Sequence, residues 1–526
     1  MNFPLETTQA TSLGWVHKDK ATGTEPTFAP AAAPSASLDI APQGAYPAPG
    51  LREAPSDQPV TLHLGLFFDG TGNNKLNAAA AQSPASAVNL DPDAANTLRT
   101  LGCTDAGAAP NTSYGNDLSN IARLHDLYPN HAEEPLPADA ETAYLPVYIE
   151  GIGTRSGRSD SLFGECTGRG STGVLARVEQ VPELVVEQMR RLRKQNPRLV
   201  IRDIVVDLFG FSRGAAAARY FANDLRKGPA SALARFIPPG SVLLPQEFDW
   251  RIGHDLALNF IGLFDTVAHL SEPLLIAFNA SSADNAGVPL HLPMGCARAI
   301  VQLAARDEYR RNFALTRTDY DVEVPGSHSD VGGSYRPVVT ERVLLSRPDS
   351  ACCPVTTANE HSQAWQRTQA HFERTRAQWL SYFAPEELSV VTWDVPVPGR
   401  EKGQVAQKRV YAALRGSRQV RGELSLVYLH AMRAAAERAG VAFKPITAPG
   451  LAVPAELHGI ADKLQAAVLG EAGTGLSDAE YALLRRHYIH LSANWNAALG
   501  RGNSRFDAVF INRPAKGNQR TFYGNE

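Results

Sequence analysis

Leu199-Val-Ile-Arg-Asp-Ile-Val-Val-Asp-Leu-Phe-Gly-Phe-Ser-Arg-Gly-Ala-Ala-Ala-Ala-Arg-Tyr-Phe-Ala222 is the stretch on which the fold turns. Residues 199–209 are mostly β-branched or large apolar, with neither Gly nor Pro, and predict a buried strand. Residues 215–222 open with four alanines and predict a helix. Between them lies Gly210-Phe-Ser-Arg-Gly214, a Gly-x-Ser-x-Gly pattern at a strand-to-helix junction. Such an elbow needs a sharp turn that strains the serine backbone. Its glycines remove side chains that would clash, and the helix N-terminus behind it supplies positive potential. Five residues of this kind arise often by chance, and the plainer reading is a turn capped by a hydroxyl. The strand before and the helix after favour the elbow, so Ser212 is the expected nucleophile.

Working outward, further apolar strands are expected at 61–68, 144–149, 260–264 and 320–324, with helices at 116–127 and 174–195. Strands alternating with helices predict an α/β-hydrolase-like, mostly parallel sheet flanked by helices. The catalytic core is placed at 58–346. Ahead of it, residues 1–57 are rich in Ala and Pro and read as a poorly ordered leader. Residues 77–115 read as a long loop. Beyond 347, helical patterns at 359–383, 424–439 and 477–491, with one strand-like piece at 388–393, predict a mostly helical C-terminal region for residues 347–526, serving as lid, packing or partner surface.

In an open α/β sheet, functional groups collect just past the C-terminal ends of strands. Asp69, Glu150, Ser212, Asp265 and His328 all fall there. A serine nucleophile needs a base, and the base needs an orienting acid. Asp265 ends the next apolar strand and is the expected acid; its plainer role is an N-cap. Asp207 lies inside the nucleophile strand and projects away from the elbow. His328, in Gly326-Ser-His-Ser-Asp-Val-Gly-Gly333, is the expected base. His269 would have to fold back within its own loop, and His490 sits on a helical pattern that suits core packing. Asp330 can orient the His328 loop. The oxyanion is assigned to N–H groups of Arg213, Gly70 and Thr71, the last two in Asp69-Gly-Thr-Gly72. A plain glycine-rich turn explains that segment equally well.

Composition narrows the classes further. The formal net charge of −3 gives no global field for nucleic acid. Five cysteines, two of them adjacent (Cys352 and Cys353) and the others scattered, show no zinc spacing. The N-terminus lacks a secretory pattern, and no apolar run approaches the ~20 residues of a transmembrane helix. Gly168-Arg-Gly-Ser-Thr-Gly173 fits a dinucleotide pattern but lacks a strand before it. Gly70-Thr-Gly-Asn-Asn-Lys75 lacks the Gly-Lys-Ser/Thr ending of a phosphate loop. No cofactor or metal is expected. Residues 273–278, Pro-Leu-Leu-Ile-Ala-Phe, suit a lid, a lipid-facing surface or core.

Taken together, Phe67-Phe-Asp-Gly-Thr-Gly-Asn-Asn74, Gly210-Phe-Ser-Arg-Gly-Ala-Ala-Ala-Ala-Arg219, Gly262-Leu-Phe-Asp-Thr-Val267 and Pro325-Gly-Ser-His-Ser-Asp-Val-Gly-Gly333 resemble the bacterial type VI secretion lipase effectors with the GFSRG motif. Weaker matches at 426–432, 488–490 and 511–514 carry the resemblance toward the C-terminus. It implies a phospholipase A-type enzyme with a Ser-Asp-His triad, falling here on Ser212, Asp265 and His328. It also implies membrane phospholipid as substrate, an immunity protein and a spike or adaptor protein as partners, and delivery without a signal peptide into a rival's periplasm. The chain is compact beside some larger members, so a dedicated membrane-anchoring region is not expected. A soluble carboxylesterase and a catalytically silent secretion-associated binding module are the competing readings.

Overall fold

The computed structural model describes residues 14–15, 57–82, 113–158, 160, 171–268, 288–398, 405–471, 473, 475–497 and 510–525. Strands are numbered in chain order: β1 Gly14–Trp15, β2 Gln58–Phe68, β3 Thr142–Ile149, β4 Leu199–Phe211, β5 Leu256–Phe264, β6 Ala299–Ala305, β7 Leu315–Thr316 and β8 Asp321–Val324. Six of them form a parallel array in the order β3-β2-β4-β5-β6-β8, and β1 adds a short antiparallel contact to β6. The central strands are buried on both faces, which is why they read as continuous apolar runs rather than alternating ones.

Helices cover each face. Val174–Gln195 and Arg213–Leu225 pack on one side through Val178, Val181, Met189 and the alanines 215–218. Asn120–Leu127, Leu424–Arg438 and His458–Val468 pack on the other through Ile121, Leu124, Met432 and Leu464. This is the expected α/β-hydrolase-like architecture. The alanines matter because small side chains let the helix after the elbow lie close to the sheet.

The region beyond 347 holds the expected helices, Gln363–Trp379, Leu424–Arg438 and Asp478–His487, a further one at His458–Val468, and a sheet that was not expected. β9 Val338–Leu344, β10 Asp349–Pro354, β11 Leu388–Val397 and β12 Gln407–Arg421 form an antiparallel sheet, with β10, β11 and β9 all pairing with β12. A boundary at 347 therefore cuts between β9 and β10 of one sheet. β12 escaped notice because its alanines and arginines favour helix locally, while its pairing on both edges decides the outcome. β6, Ala-Ile-Val-Gln-Leu-Ala-Ala, is fully buried and was missed for the same reason. Residues Lys75–Gln82, expected within a loop from 77, form a helix. The expected leader at 1–57 lies outside the described residues apart from 14–15 and 57, as do His269, residues 273–278 and Gly168–Gly170.

Candidate active site

The parallel strands end on one edge of the sheet. Asp69 follows β2, Glu150 follows β3, Ser212 follows β4, Asp265 follows β5, and His328 lies four residues past β8. Ser212 has φ 57° and ψ −125°, a conformation that costs a non-glycine residue energy and persists only when its surroundings over-determine it. Those surroundings are specific. The Ser212 N–H donates to Phe264 O (3.0 Å), and its carbonyl accepts from Ala215 N (3.0 Å) and Val267 N (3.3 Å). A Cβ on Gly210 would lie 2.5 Å from Ala215 Cα, and one on Gly214 would lie 2.3 Å from Asp69 O. Both glycines of the motif are thus required by close backbone approach.

Asp265, also at positive φ (48°), is fully buried directly beside the elbow. His328 begins a short helix, His328–Gly332, whose capping box joins Ser327 and Asp330. His328 Nδ1 lies 2.5 Å from Asp265 Oδ2. The His328 ring lies against Phe211, the residue before Ser212 (centroids 4.6 Å), and edge-on to Phe313 (4.9 Å). Burial alone would raise the Asp265 carboxyl, but the Arg520 guanidinium and the His328 hydrogen bond outweigh it and hold it well below the usual carboxylate range. Burial lowers the proton affinity of His328 more than Asp265 restores it. At neutral pH the pair is therefore an ionised carboxylate with a neutral imidazole, Nδ1–H donated to the carboxylate.

The turn after β2 is the other wall. The Gly70 N–H is donated to the carboxylate of Asp69 (Oδ1, 2.7 Å). The Gly72 N–H goes to Ile152 O and that of Asn73 to Gly70 O, both at 3.0 Å. The Thr71 N–H finds no acceptor among the described residues, and its hydroxyl is buried without a partner. Arg213 is the first residue of the helix behind Ser212. Asp69 accepts Tyr148 OH (2.6 Å); burial pushes its carboxyl up to about 6, against the hydrogen bonds from Tyr148, Ser119 and Gly70.

The remaining candidates have other duties. Asp207 accepts Tyr128 OH (3.0 Å) and Asn259 Nδ2 (2.7 Å) inside the sheet, and burial pushes it up to about 7. Glu150 receives the Ser156 N–H (3.0 Å) and an ion pair from Arg177 (3.4 Å). His490, on the coil after the helix Asp478–His487, holds Asp330 (Nδ1 to Oδ1, 2.6 Å). Asp249, His254 and Asp255 could converge on a cation, but Asp255 already accepts Arg251 N (2.7 Å) and Trp250 N (3.2 Å) at the opposite end of β5.

Two buried groups were missed by sequence reasoning. Arg520 pairs both its terminal nitrogens with Asp265 (2.7 and 2.8 Å). Glu308, after β6, receives the His328 N–H (3.3 Å) and the Ser492 hydroxyl (2.9 Å). It is ion-paired with Arg310 (2.8 Å), which outweighs burial and holds its carboxyl down at about 2. Nothing in a lone arginine near the end of a chain announces an ion pair with a residue 255 positions earlier.

No family model and no curated protein matches the chain. Solved structures do. A structure of the Tle1 effector bound to the VgrG spike from the type VI secretion system is similar at a TM-score of 0.64 and 27% identity, over 91% of this chain and 98% of that one. An uncharacterized protein from Pseudomonas aeruginosa matches at a TM-score of 0.30 and 21% identity, over 54% of this chain and 42% of that one, which carries no weight. The GFSRG elbow at a parallel-sheet edge thus accompanies a likeness to a type VI secretion effector that spans nearly the whole of both chains.

Proposed function

We propose that this chain is a phospholipase A-type serine hydrolase in which Ser212, His328 and Asp265 form the catalytic triad. The observation that carries the reading is the strained Ser212 beside a buried His328–Asp265 pair. In the first half-reaction, Ser212 Oγ attacks an acyl carbonyl of the lipid while His328 Nε2 takes its proton. Asp265 holds the imidazole in the tautomer that leaves Nε2 free to accept. It also stabilises the imidazolium that forms. The oxyanion is held by the N–H groups of Arg213, at a helix N-terminus, and of Thr71. The Gly70 N–H does not share that role, because it is already donated to Asp69. His328 then protonates the departing lysophospholipid oxygen, and water attacks the acyl-enzyme with His328 again as base. The partnerless Thr71 hydroxyl supports a place for this turn in substrate binding.

The similarity to an effector solved on its spike supports a VgrG-type spike as carrier, with delivery by the type VI machine to the periplasm of a rival cell. An antibacterial role and an immunity protein that blocks the enzyme belong to the same reading. No described helix is long and apolar enough to cross a membrane, so lipid is to be reached from the interface. The test is mass spectrometry of products from phospholipids with two different acyl chains. The expected outcome is a free fatty acid plus lysophospholipid from wild type and neither from Ser212→Ala. Turnover of short soluble esters alone, with intact vesicles untouched, would replace phospholipase by carboxylesterase.

A further inference from the structure

The last described stretch, residues 510–525, returns from the antiparallel sheet to the catalytic edge. β13, Phe522–Tyr523, pairs in parallel with β7. Asn525 Oδ1 accepts from Arg219 Nη2 and from Leu292 N, both at 3.0 Å. Arg219 belongs to the helix behind the elbow. The tail is thus fastened to the core close to Arg520, whose side chain is turned inward and buried.

Every nitrogen of Arg520 is engaged. Nε donates to Phe313 O (2.7 Å), Nη1 to Asp265 Oδ1 (2.7 Å) and Ala305 O (3.2 Å), and Nη2 to Asp265 Oδ2 (2.8 Å). Asp265 Oδ2 therefore serves two donors, Arg520 and His328. The planar fork fixes the carboxylate in position and orientation, which a single-point donor cannot do. It also sets a permanent positive charge behind the acid. The other charges facing His328 are balanced as well. Glu308, at the His328 N–H, is opposed by Arg310, while Asp330 on His328's own helix is turned to His490. Phe211 and Phe313 supply only rings. Two carboxylates thus face two guanidiniums around one imidazole.

We propose that Arg520 is a positioning residue of the active site: it locks Asp265 against His328 and, by neutralising that carboxylate, keeps His328 an unprotonated, working base into mildly acidic solution. Removing the cation leaves Asp265 as an uncompensated buried charge beside the imidazole. The His328–Asp265 couple then takes up a proton more readily, whichever of the two carries it. The sign is fixed: the acid limb of activity moves toward higher pH.

The inference rests on the triad reading, and the experiment separates the two. The pH profile of kcat/KM is measured on a short-chain ester for wild type, Arg520→Met, Arg520→Gln and Arg520→Lys, with folding checked by circular dichroism. The acid limb is expected to rise by about one pH unit or more in the Met and Gln variants, and to stay near its wild-type position in the Lys variant, which keeps the charge. The Gln variant retains a hydrogen-bond donor and carries the test should Met not fold. Folded neutral variants whose limb stays put, with or without a drop in kcat, overturn the proposal, and so does a displaced limb in Arg520→Lys. Wild-type protein that takes up no fluorophosphonate at Ser212 would instead sink the triad reading itself.

Discussion

Two histidine–aspartate pairs lie close together in this molecule, and in isolation they are hard to tell apart. His328–Asp265 closes at 2.5 Å and His490–Asp330 at 2.6 Å, both through Nδ1, and all four residues are buried. Their neighbours differ. Asp265 lies directly beside a strained serine, and its charge is matched by Arg520. Asp330 is occupied with structure: its Oδ2 accepts the Ser327 N–H (2.9 Å), the Ser327 hydroxyl (2.8 Å) and the His490 N–H (3.0 Å). The His490 ring is stacked on Tyr335 at 3.7 Å, and its Nε2 is buried without a partner among the described residues. The first pair is the one proposed to move a proton; the other holds the helix that carries His328. A histidine–carboxylate contact marks catalysis only when a nucleophile and a route for the proton accompany it.

The comparison breaks most decisively by removing the nucleophile or the base. Ser212→Ala and His328→Ala are each expected to lower kcat on ester by about 10⁴-fold or more, with no further loss in the double variant, because the residues act as a unit. Additive losses in steady-state assays would contradict that. Asp265→Asn is expected to cost about 10³- to 10⁴-fold by favouring the wrong tautomer of His328. The counterpart, Asp330→Asn, removes a buried charge that receives several donors. Its expected effect is on stability, roughly 2 kcal/mol in denaturant unfolding, with kcat/KM retained within about ten-fold. A loss as deep as that of Asp265→Asn would make the second pair part of the chemistry.

The smallest expected effect concerns a buried carboxylate with no histidine at all. Asp207, pushed up to about 7, binds its proton more tightly folded than unfolded. It therefore favours the fold fully below the unfolded carboxylate range and loses that contribution as pH rises through about 7. Asp207→Asn should gain stability relative to wild type between mildly acidic and mildly alkaline pH, read as a widening Tm difference. A gap that narrows over that range would show that the carboxylate is not protonated in the folded protein. Asp265 and Glu308 run the other way: their carboxyls are held low, so the stability they contribute is present above the unfolded range and lost in strong acid.

Much of the candidate site's layout was legible in the chain because each part is local. The elbow is contiguous from Leu199 to Leu225, and Asp265 and His328 fall just past strands whose apolar runs are conspicuous. The antiparallel sheet was not legible. β12 uses alanines and arginines that favour helix by themselves, and only pairing with β9, β10 and β11 makes it a strand. Arg520 was hidden for a similar reason. Its meaning lies wholly in a long-range contact, and no spacing or periodicity encodes one. The turn proposed to hold the oxyanion was readable as a segment but not by residue, since the Asp69 carboxylate takes up the Gly70 N–H.

The most direct test of the central claim is intact-protein mass spectrometry after treatment with a fluorophosphonate, on wild type, Ser212→Ala and Asp330→Asn. The account predicts one adduct, mapped by peptide sequencing to Ser212, present in wild type and Asp330→Asn and absent from Ser212→Ala. An adduct that persists in Ser212→Ala, or folded wild-type protein that takes up none, would contradict it.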